Sequence, residues 1–265
     1  LITCIEGKFK LLVVNNDKKS KQYKRILISD YNEELNKQMT DSEIVCAISN
    51  LNNNKSCSMF DNILNEYIKY SKHIMLPVLR RLFNLILDSG IIPEEWCKGI
   101  IFPIYKRKGD LDNPDNYRGI TILSCFGKLF TSILNKRINN FLEGAGLLCN
   151  EQSGFRKKYS TVDHIFTLKF LVDFYLQKGK KLYCAFIDYR KAFDSVNRVA
   201  LWQKLLNNDI NGKVFKIIYA IYNNAKSCVK SKEGLSNFFV SSTGVRQGET
   251  LSPILFSIFL NDLVP

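Results

Sequence analysis

Apolar residues recur along most of the chain at the three- and four-residue spacing of an amphipathic helix. Thr40 and Glu43 form a capping-box pattern at the start of the first such stretch. Pro77 falls in the first turn of a later stretch, where proline is tolerated, and Gly90 lies just past its end. The spacing predicts helices at about 40–51, 62–72, 73–88, 126–142, 161–177, 198–207, 212–223 and 251–263.

Shorter apolar runs bounded by turn residues predict strands between these helices. The runs at 99–105 and 117–123 flank the turn-rich segment KRKGDLDNPDN and predict a basic β-hairpin. Pro103 indicates that the first of these strands lies at a sheet edge, because proline cannot donate to a ladder. The runs at 228–232 and 238–242 flank EGLSN and predict a second hairpin.

One further apolar run, 182–187, ends at the carboxylate of Asp188, and a second carboxylate, Asp194, follows six residues later. A buried strand is rigid, so a carboxylate at its tip is held in a fixed place, as metal-assisted chemistry requires. The alternative is that Asp188 caps the following helix, since Asp is a favoured N-cap residue. Taken alone, this stretch favours the cap.

The composition is that of a globular protein with a basic surface. Of the 265 residues, 46% are hydrophobic and 12% aromatic, which allows one large domain or two ordinary ones. Lys and Arg number 38 against 25 Asp and Glu, a net charge of +13. This charge suits a polyanionic partner, nucleic acid before membrane, although charge alone does not exclude a solvated basic face. No apolar stretch is long enough to predict a membrane span.

The cysteines and the first residues bear on the compartment. Eight cysteines are scattered without a Cys-x-x-Cys pair, and two histidines accompany them, so no zinc cluster is predicted. They fit reduced thiols of an intracellular protein. The opening stretch LITCIEGKFKLLVV is interrupted by charges and is a poor secretory signal. We therefore expect a location in the cytoplasm and nucleus, and no secretion.

Five stretches, in this order, resemble the reverse transcriptase domain of non-LTR (LINE-type) retrotransposons. They read NLILDSGIIPEEWCKGIIFPIYKRKGDLDNPDNYRGITIL, LSCFGKLFTSILNKRI, NEQSGFRKKYSTVDHIF, FIDYRKAFDSV and GVRQGETLSPILF. The resemblance covers roughly 37–265. Any one stretch is a weak signal, but five in order over most of the chain are a strong one, and they reverse the preference for a helix cap at Asp188.

The resemblance implies an α+β fold of the right-hand polymerase type, with fingers and a partial palm whose antiparallel sheet packs on helices. It divides the chain into a linker or N-terminal segment at 1–36, a helical N-terminal extension at 37–98, fingers at 99–180 and a partial palm at 181–265. The implied activity is RNA-directed DNA synthesis from dNTPs, on an RNA template and a DNA primer, with two Mg²⁺ ions. It implies no membrane partner and leaves the oligomeric state open.

The resemblance also assigns roles to residues of the fourth stretch. Asp188 matches the first metal-binding aspartate of the family, and the carbonyl of Tyr189 is a natural second oxygen ligand. For Asp194 it implies no metal role, so a salt bridge or a cap is expected. Phe193 matches the aromatic residue that lies under the sugar of the incoming nucleotide and excludes a 2′-OH. The alternative for Phe193 is an ordinary core position.

Residues of the other stretches match nucleotide and template contacts of the family. Lys106 and Arg118 match the residues that hold the incoming triphosphate, although Lys108 could take the place of Lys106. Gln247 matches the residue that approaches the nucleotide and template pair, and Gly248 lets the backbone come close. A template-binding segment, which an ordinary surface loop explains equally well, is implied at Gly154, Phe155 and Arg156.

Two departures from the family pattern lead to further expectations. The palm motif often reads QGCPLSP and here reads QGETLSP, and the Asp-Asp pair of the Tyr-x-Asp-Asp motif occurs nowhere in the chain. We therefore expect a fragment that lacks the second metal-binding motif and does not polymerise alone. The alternatives are an inactive nucleic-acid-binding remnant, a polymerase like a group II intron maturase, and a viral RNA polymerase. The aromatic Phe193 argues against the viral enzyme.

Overall fold

The computed structural model describes residues 32–55 and 60–263. Within these ranges the α-helices are α1 (Glu33–Asn36), α2 (Asp41–Ser49), α3 (Asn65–Tyr70), α4 (Lys72–Ser89), α5 (Glu94–Cys97), α6 (Cys125–Gly144), α7 (Thr161–Gln177), α8 (Arg198–Asn207), α9 (Gly212–Asn223) and α10 (Ser252–Leu260). The strands are β1 (Lys98–Tyr105), β2 (Tyr117–Ile122), β3 (Lys226–Val229) and β4 (Phe239–Val240). The predicted mixture of helices and strands is confirmed.

Helix ends follow the local signals in the sequence. At the start of α2, the Thr40 side chain accepts from the Glu43 N–H and the Glu43 carboxylate accepts from the Thr40 N–H, which completes the predicted capping box. Helix α4 carries Pro77 and ends at Gly90, whose φ of 72° is left-handed. Helix α10 begins with a proline in its first turn, as predicted.

The strands form one sheet in the order β2-β1-β3-β4. β1 pairs antiparallel with β2 and parallel with β3, and β4 pairs antiparallel with β3. Pairing with β3 stops at Ile101, whereas pairing with β2 continues to Tyr105. The prediction of an edge strand is therefore wrong for the first half of β1. At Pro103, beyond the contact with β3, the described strands pair with β1 on one side only, which is where proline is tolerated.

The loop between β1 and β2 is tied to itself by two tyrosines. The Tyr105 hydroxyl donates to the Gly109 carbonyl at 2.6 Å, and the Tyr117 hydroxyl donates to the Leu111 carbonyl at 2.9 Å. The two rings pack with their centroids 5.4 Å apart. A short 3-10 turn, Pro114–Asn116, leads back into β2. These contacts give the loop a defined shape beyond the end of the sheet.

The hydrophobic core is built around α6. Helices α1, α2 and α10 pack on α6, and an aromatic cluster joins α4 and α5 to it. In this cluster Phe130 lies 5.3 Å from Phe83 and 5.8 Å from Trp96 between ring centroids. Phe83 and Phe130 are fully buried, and Tyr222 of α9 is buried in the same core. Burial of such large aromatic side chains contributes strongly to stability.

The described end of the predicted linker, residues 32–36, is folded. It forms α1, whose Leu35 is fully buried. Arg137 of α6 donates to the Leu35 carbonyl at 3.1 Å and makes two hydrogen bonds to the Glu43 carboxylate, at 2.7 and 2.8 Å. Residues 33–36 are therefore helical and attached to the core, which argues against a linker here, while the alternative of an N-terminal segment stays a prediction. The rest of that prediction, 1–31, lies outside the described residues.

The predicted buried strand at 182–187 is not formed. These residues pair with no strand in the described part of the chain, and their side chains face solvent, with Tyr183 86% and Phe186 83% exposed. Helix α7 directly before them also has no buried residue. An apolar run predicts burial, but burial and strand pairing both need a second layer, and no described element covers this face.

One core crosses the predicted domain boundaries. β1, from the predicted fingers at 99–180, pairs with β3, from the predicted palm at 181–265. Helix α2, from the predicted extension at 37–98, packs on α6. The division into these regions stays a prediction. Among the described helices, none combines the length and apolar character needed to cross a membrane.

Candidate functional site

An open cleft of about 570 Å³ lies where the β1–β2 hairpin faces the segment after α7 and the loop before α10. Its lining is strongly polar. The residues that line it are Lys106, Asp115, Asn116, Tyr117, Arg118, Gly119, Asp188, Tyr189, Arg190, Lys191, Asp194 and Gln247. Several residues singled out by the sequence are thus brought together, although they come from three separate stretches of the chain.

Lys106 and Arg118 enter the cleft from opposite strands of the hairpin. The Lys106 N–H donates to the Asn116 carbonyl at 2.8 Å, and its ammonium group donates to the Asp115 carbonyl at 2.9 Å. Arg118 lies opposite Ile104 in the ladder, and its side chain is exposed. The sequence left Lys108 as an alternative to Lys106, but Lys108 does not line the cleft.

Gln247 reaches the cleft because its loop is fastened to the end of β2. The Gln247 carbonyl accepts from the Thr121 N–H at 2.7 Å. The next residue, Gly248, has a φ of +108°, and a Cβ there would lie 2.3 Å from the Thr121 carbonyl oxygen. Only glycine fits this position. The backbone at Gly248 thus closely approaches β2, and the expected approach to a nucleotide stays a prediction.

A buried ion pair holds the same loop from behind. The side chains of Arg246 and Glu249 are 7% and 4% exposed, and the two charges are 3.1 Å apart. Arg246 also donates to the Cys97 carbonyl at 2.9 Å, and Glu249 accepts from the Thr131 hydroxyl at 2.8 Å. The sequence reasoning missed this pair. The signal was the departure QGETLSP, because a buried glutamate demands a cation and Arg246 lies three residues before it.

Hydroxyl groups complete the support of the loop. The Ser252 hydroxyl donates to the Arg246 carbonyl at 2.7 Å and lies 3.0 Å from the Tyr222 hydroxyl. Burial raises the pKa of Tyr222 to about 12, and burial raises the pKa of the Cys97 thiol to about 11. Both groups therefore stay neutral at physiological pH, and the charge under the loop is that of the Arg246–Glu249 pair.

The segment that carries Asp188 is held differently. Asp188 is exposed, and the cap alternative is wrong for both Asp188 and Asp194, because the N-cap of α8 is Asn197, which accepts from the Ala200 N–H at 3.1 Å. The pKa of Asp194 is raised because partial burial removes hydration from its carboxylate. The nearby charges of Lys191 and Lys106 oppose this shift without cancelling it. Asp188 and Asp194 thus face the cleft without a helix to hold them.

Two carboxylates face the cleft, and the described residues form no complete metal site. Asp188 and Asp194 both line the cleft, and the carbonyl of Tyr189 is beside them in the chain. No group of three or more His, Cys, Asp or Glu side chains that could hold an ion occurs within residues 32–55 and 60–263. Mg²⁺ in such sites is bound through carboxylates together with substrate phosphates. The expectation of two Mg²⁺ ions therefore stays a prediction.

Phe193 packs beside the cleft and does not line it. Its ring stacks on Phe256 of α10, with centroids 5.0 Å apart and an interplanar angle of 17°, and it meets Phe155 edge-on at 6.0 Å. Phe155 is 59% exposed and has a φ of 62°. The neighbouring Gly154 carbonyl accepts from the Ser257 hydroxyl at 3.3 Å. The stack thus joins the predicted sugar and template residues to α10.

Arg156 is occupied by protein partners. Its guanidinium makes two hydrogen bonds to the Glu143 carboxylate at 2.9 and 2.7 Å, and further bonds to the carbonyls of Cys149 and Gln152. The side chain is 7% exposed, and the hydrogen bond to Glu143 raises its pKa. Arg156 therefore ties its loop to the end of α6. The sequence predicted a template contact for this residue, and that role stays a prediction.

Comparison with known proteins gives a consistent result. A family model described as reverse transcriptase (RNA-dependent DNA polymerase) matches residues 104–265. The probable RNA-directed DNA polymerase from transposon BS of Drosophila melanogaster is 30% identical over 224 residues, which are 83% of this chain and 24% of that protein.

Two further relatives extend the comparison. A Pol polyprotein from the type-1 retrotransposable element R2 of Popillia japonica is 30% identical over 190 residues, 70% of this chain and 26% of that protein. The RNA-directed DNA polymerase from the mobile element jockey of Drosophila melanogaster is 26% identical over 206 residues, 77% of this chain and 22% of that protein. The chain therefore spans about a quarter of the length of these relatives.

Proposed function

This chain belongs to the reverse transcriptase family, and on that premise we propose that it forms part of an RNA-directed DNA polymerase of the non-LTR retrotransposon type. The observation that carries the proposal is the cleft, because it gathers Lys106, Arg118, Asp188 and Gln247 from three motifs. A nucleotidyl-transfer site needs such a gathering, since its protein groups mainly position phosphates and offset their charge.

The proposed architecture is a right-hand polymerase. In it, 99–180 forms the fingers and 181–265 part of the palm, after a helical extension at 37–98. Support comes from the position of the β1–β2 hairpin on one side of the cleft, facing the segments that carry Asp188 and Gln247 on the other. In this arrangement Lys106 and Arg118 of the hairpin would contact the triphosphate of a nucleotide, and Asp188 would face the same triphosphate from the other side of the cleft.

In the proposed site, Lys106 and Arg118 bind the triphosphate of an incoming dNTP. Arg118 suits this role because a guanidinium can make two hydrogen bonds to one phosphate, while Lys106 acts as a point charge. Gln247 would contact the nucleotide from a fixed loop. The Gln247 backbone is hydrogen-bonded to β2, and the loop packs on the buried ion pair of Arg246 and Glu249. A preorganised backbone positions such a side chain without further ordering.

The proposed metal role of this chain rests on Asp188 and the carbonyl of Tyr189. When bound, Mg²⁺ would neutralise charge that develops on the phosphates. The described residues alone do not complete the ligand set of the ion. The proposed role of Phe193 is to close the pocket beside the sugar, and its packing on Phe256 supplies the rigid backing that such a role requires.

The proposed partners are an RNA template and a DNA primer. A net charge of +13 supports binding of a polyanion, and the exposed ring of Phe155 suits stacking on a base. The Arg156 guanidinium is engaged inside its loop, so we place the template contact at Phe155 and the backbone of Gly154 and give Arg156 the task of shaping that loop.

Binding of dNTP and of an RNA–DNA primer-template by residues 1–265 tests the proposal. Lys106→Ala and Arg118→Ala should each weaken dNTP binding about tenfold, measured by calorimetry. Lys108→Ala is the matched control, because it removes a charge from the same hairpin outside the cleft, and it should change binding less than about twofold. Absence of dNTP binding, or an equal loss in the control, would contradict the proposed site.

Binding of dNTP in the cleft separates the proposal from its main rival, and primer extension tests a further expectation. From the sequence we expect no extension by residues 1–265 alone, and clear Mg²⁺-dependent incorporation would contradict that expectation. The rival is a non-enzymatic nucleic-acid-binding remnant, which the exposure of Asp188 favours. A remnant would bind RNA with steep salt dependence, would not bind dNTP in the cleft, and would be indifferent to Asp188→Ala.

A further inference from the structure

A carboxylate from the hairpin crosses the cleft and pairs with two cations on the opposite wall. One oxygen of Asp115 accepts from the Arg190 guanidinium at 2.7 Å, and the other accepts from the Lys191 ammonium group at 2.6 Å. Asp115 lies in the 3-10 turn before β2, whereas Arg190 and Lys191 follow Asp188 directly. The contact therefore joins segments 75 residues apart in the chain.

The same residue also engages the hairpin cation. The backbone carbonyl of Asp115 accepts from the Lys106 ammonium group at 2.9 Å, and its N–H donates to the Asn113 side chain at 2.9 Å. Asp115 is thus fixed by its turn, and its two kinds of oxygen meet Lys106, Arg190 and Lys191. Three of the four cations that line the cleft are held by this one residue, and Arg118 is the fourth.

These ion pairs are exposed, so a ligand of higher charge can replace them. The side chains of Arg190, Lys191 and Asp115 are 83%, 51% and 43% exposed. Exposed ion pairs are weak and are screened by salt. The hydrogen bond from Lys191, with the nearby Arg190, holds the pKa of Asp115 below its ordinary value, so the carboxylate stays charged at neutral pH.

We propose that Arg190 and Lys191 form a binding site for the polyphosphate of a nucleotide, and that Asp115 occupies this site as an internal anion until the polyphosphate displaces it. This inference rests on the proposed function and adds Arg190 and Lys191 to its phosphate contacts. The pair already binds an anion in the structure, with one oxygen on each cation, which is the geometry that a phosphate group also offers.

The shape of the site favours a compact polyanion over an extended strand. Lys106, Arg118, Arg190 and Lys191 converge on one cleft of about 570 Å³ from both walls, and Asp115 removes part of their charge while it is bound there. A triphosphate carries several negative charges within a short distance, which suits a cleft lined by several cations. A nucleic-acid backbone spreads its charges along its length and tracks a groove.

Titration of residues 1–265 with inorganic tripolyphosphate, followed by calorimetry at low and high salt, tests the inference. Removing the internal competitor by Asp115→Asn should tighten binding about three- to fivefold, and Arg190→Gln or Lys191→Gln should weaken it by a similar factor. Asp112→Asn is the matched control, because it makes the same charge change on the same hairpin at an exposed residue outside the cleft.

The expected result is a gain in Asp115→Asn, less than about a twofold change in Asp112→Asn, and loss of the gain when Arg190→Gln and Lys191→Gln are added. Equal behaviour of the two aspartate variants would overturn the inference, since charge alone would then explain any change. Thermal unfolding followed by circular dichroism confirms that each variant is folded before its titration is used.

Further ligands show whether the bound phosphate belongs to a nucleotide or to a nucleic-acid backbone. They also separate this inference from the proposed function. A dNTP should reproduce the tripolyphosphate pattern, whereas a gain seen with single-stranded RNA and not with tripolyphosphate would overturn the inference in favour of a backbone site. If tripolyphosphate responds as expected while the RNA–DNA primer-template does not bind, the proposed function fails and the anion site at Arg190 and Lys191 stands.

Discussion

Two segments face the hairpin across the cleft, here called the Gln247 wall and the Asp188 wall, and they are held by opposite means. The loop that carries Gln247 rests on a buried ion pair between Arg246 and Glu249, and its backbone is bonded to β2. The segment that carries Asp188 is exposed, and the contacts of Arg190 with the hairpin are exposed ion pairs. Both stretches resemble motifs of the family, although the one with Gln247 departs from its pattern at QGETLSP. A motif thus indicates which residues matter without indicating how firmly they are held.

This difference teaches which wall can move. Buried, hydrogen-bonded charges resist rearrangement because each broken bond leaves a desolvated charge behind. Exposed ion pairs exchange readily with water and salt. We therefore expect the Gln247 side of the cleft to behave as a fixed surface and the Asp188 side as an adjustable one.

The largest effect is expected from removing the buried charge beneath the fixed wall. Glu249→Ala should lower the free energy of unfolding by about 4 kcal/mol, because Arg246 is left buried without its counter-ion. Urea unfolding followed by circular dichroism measures the change. Glu34→Ala removes one partner of an exposed pair with Lys37 and should cost less than about 0.5 kcal/mol. A loss below about 1 kcal/mol in Glu249→Ala would show that the buried pair contributes no more to stability than an exposed pair does.

The next effect concerns the attachment of the same loop to β2. Gly248→Ala should lower the free energy of unfolding by about 3 kcal/mol, because alanine is strained at a φ of +108° and its Cβ would overlap the Thr121 carbonyl. Gly234→Ala is the matched control, since Gly234 also has a positive φ, of +141°, but open space around its Cβ position. Equal losses at the two glycines, in the same urea assay, would show that the close approach does not contribute.

The pH dependence of stability compares the largely buried ion pair of Arg137 and Glu43 with the exposed pairs of Asp115. The hydrogen bonds from Arg137 and the Thr40 N–H outweigh burial and lower the pKa of Glu43 from 4.5 to about 2. A lowered folded-state pKa gives stability that is present above pH 4.5 and is lost as the pH falls towards 2. Glu43→Gln should therefore cost about 2 kcal/mol at pH 7 and progressively less below pH 4.5.

The same measurement on Asp115→Asn sharpens the contrast. The pKa of Asp115 is lowered too, but its pair with Lys191 is exposed. The free energy of unfolding of the variant should therefore differ little from that of the parent chain at any pH. Urea midpoints between pH 2 and 8 supply both curves. A constant difference for Glu43→Gln across this range would show that the charge of Glu43 contributes nothing.

The smallest effect is expected on the exposed wall. Phe186→Ser should change the free energy of unfolding by less than about 0.5 kcal/mol, because the ring is 83% exposed. Phe130→Ser, a fully buried phenylalanine of α6, should cost about 4 kcal/mol in the same assay. A large loss in Phe186→Ser would show that this ring is covered in solution and would remove the contrast between the walls.

The sequence predicted the elements well where the signal is local. The capping box at Thr40, the glycine after α4 and the turn-rich hairpin are each decided within a few residues, and the structure confirms them. The gathering of Lys106, Arg118 and Gln247 followed from the family resemblance, because spacing along the chain does not say which loops meet.

The failures share a physical cause, which is the need for a partner distant in sequence. The run 182–187 is apolar, but nothing in its own residues says whether a second layer covers it. The helix at residues 33–36 is attached to the core by Arg137, 102 positions after Leu35, which donates to the Leu35 carbonyl. The contact of Asp115 with Arg190 was missed for the same reason, and the role of Glu249 was visible only as a departure from pattern.

The parallel pairing of β1 with β3 has a consequence for folding during translation. The Cys228 thiol meets the Gly99 carbonyl although 129 positions separate them. At a translation rate of about 5–20 residues per second, the β1–β2 hairpin, which ends at Ile122, is complete roughly 5 to 21 s before Lys226, the first residue of β3, is added. During that interval the first half of β1 carries an open edge, which is the kind of surface that pairs with wrong strands. The sheet is therefore most vulnerable to misassembly during synthesis.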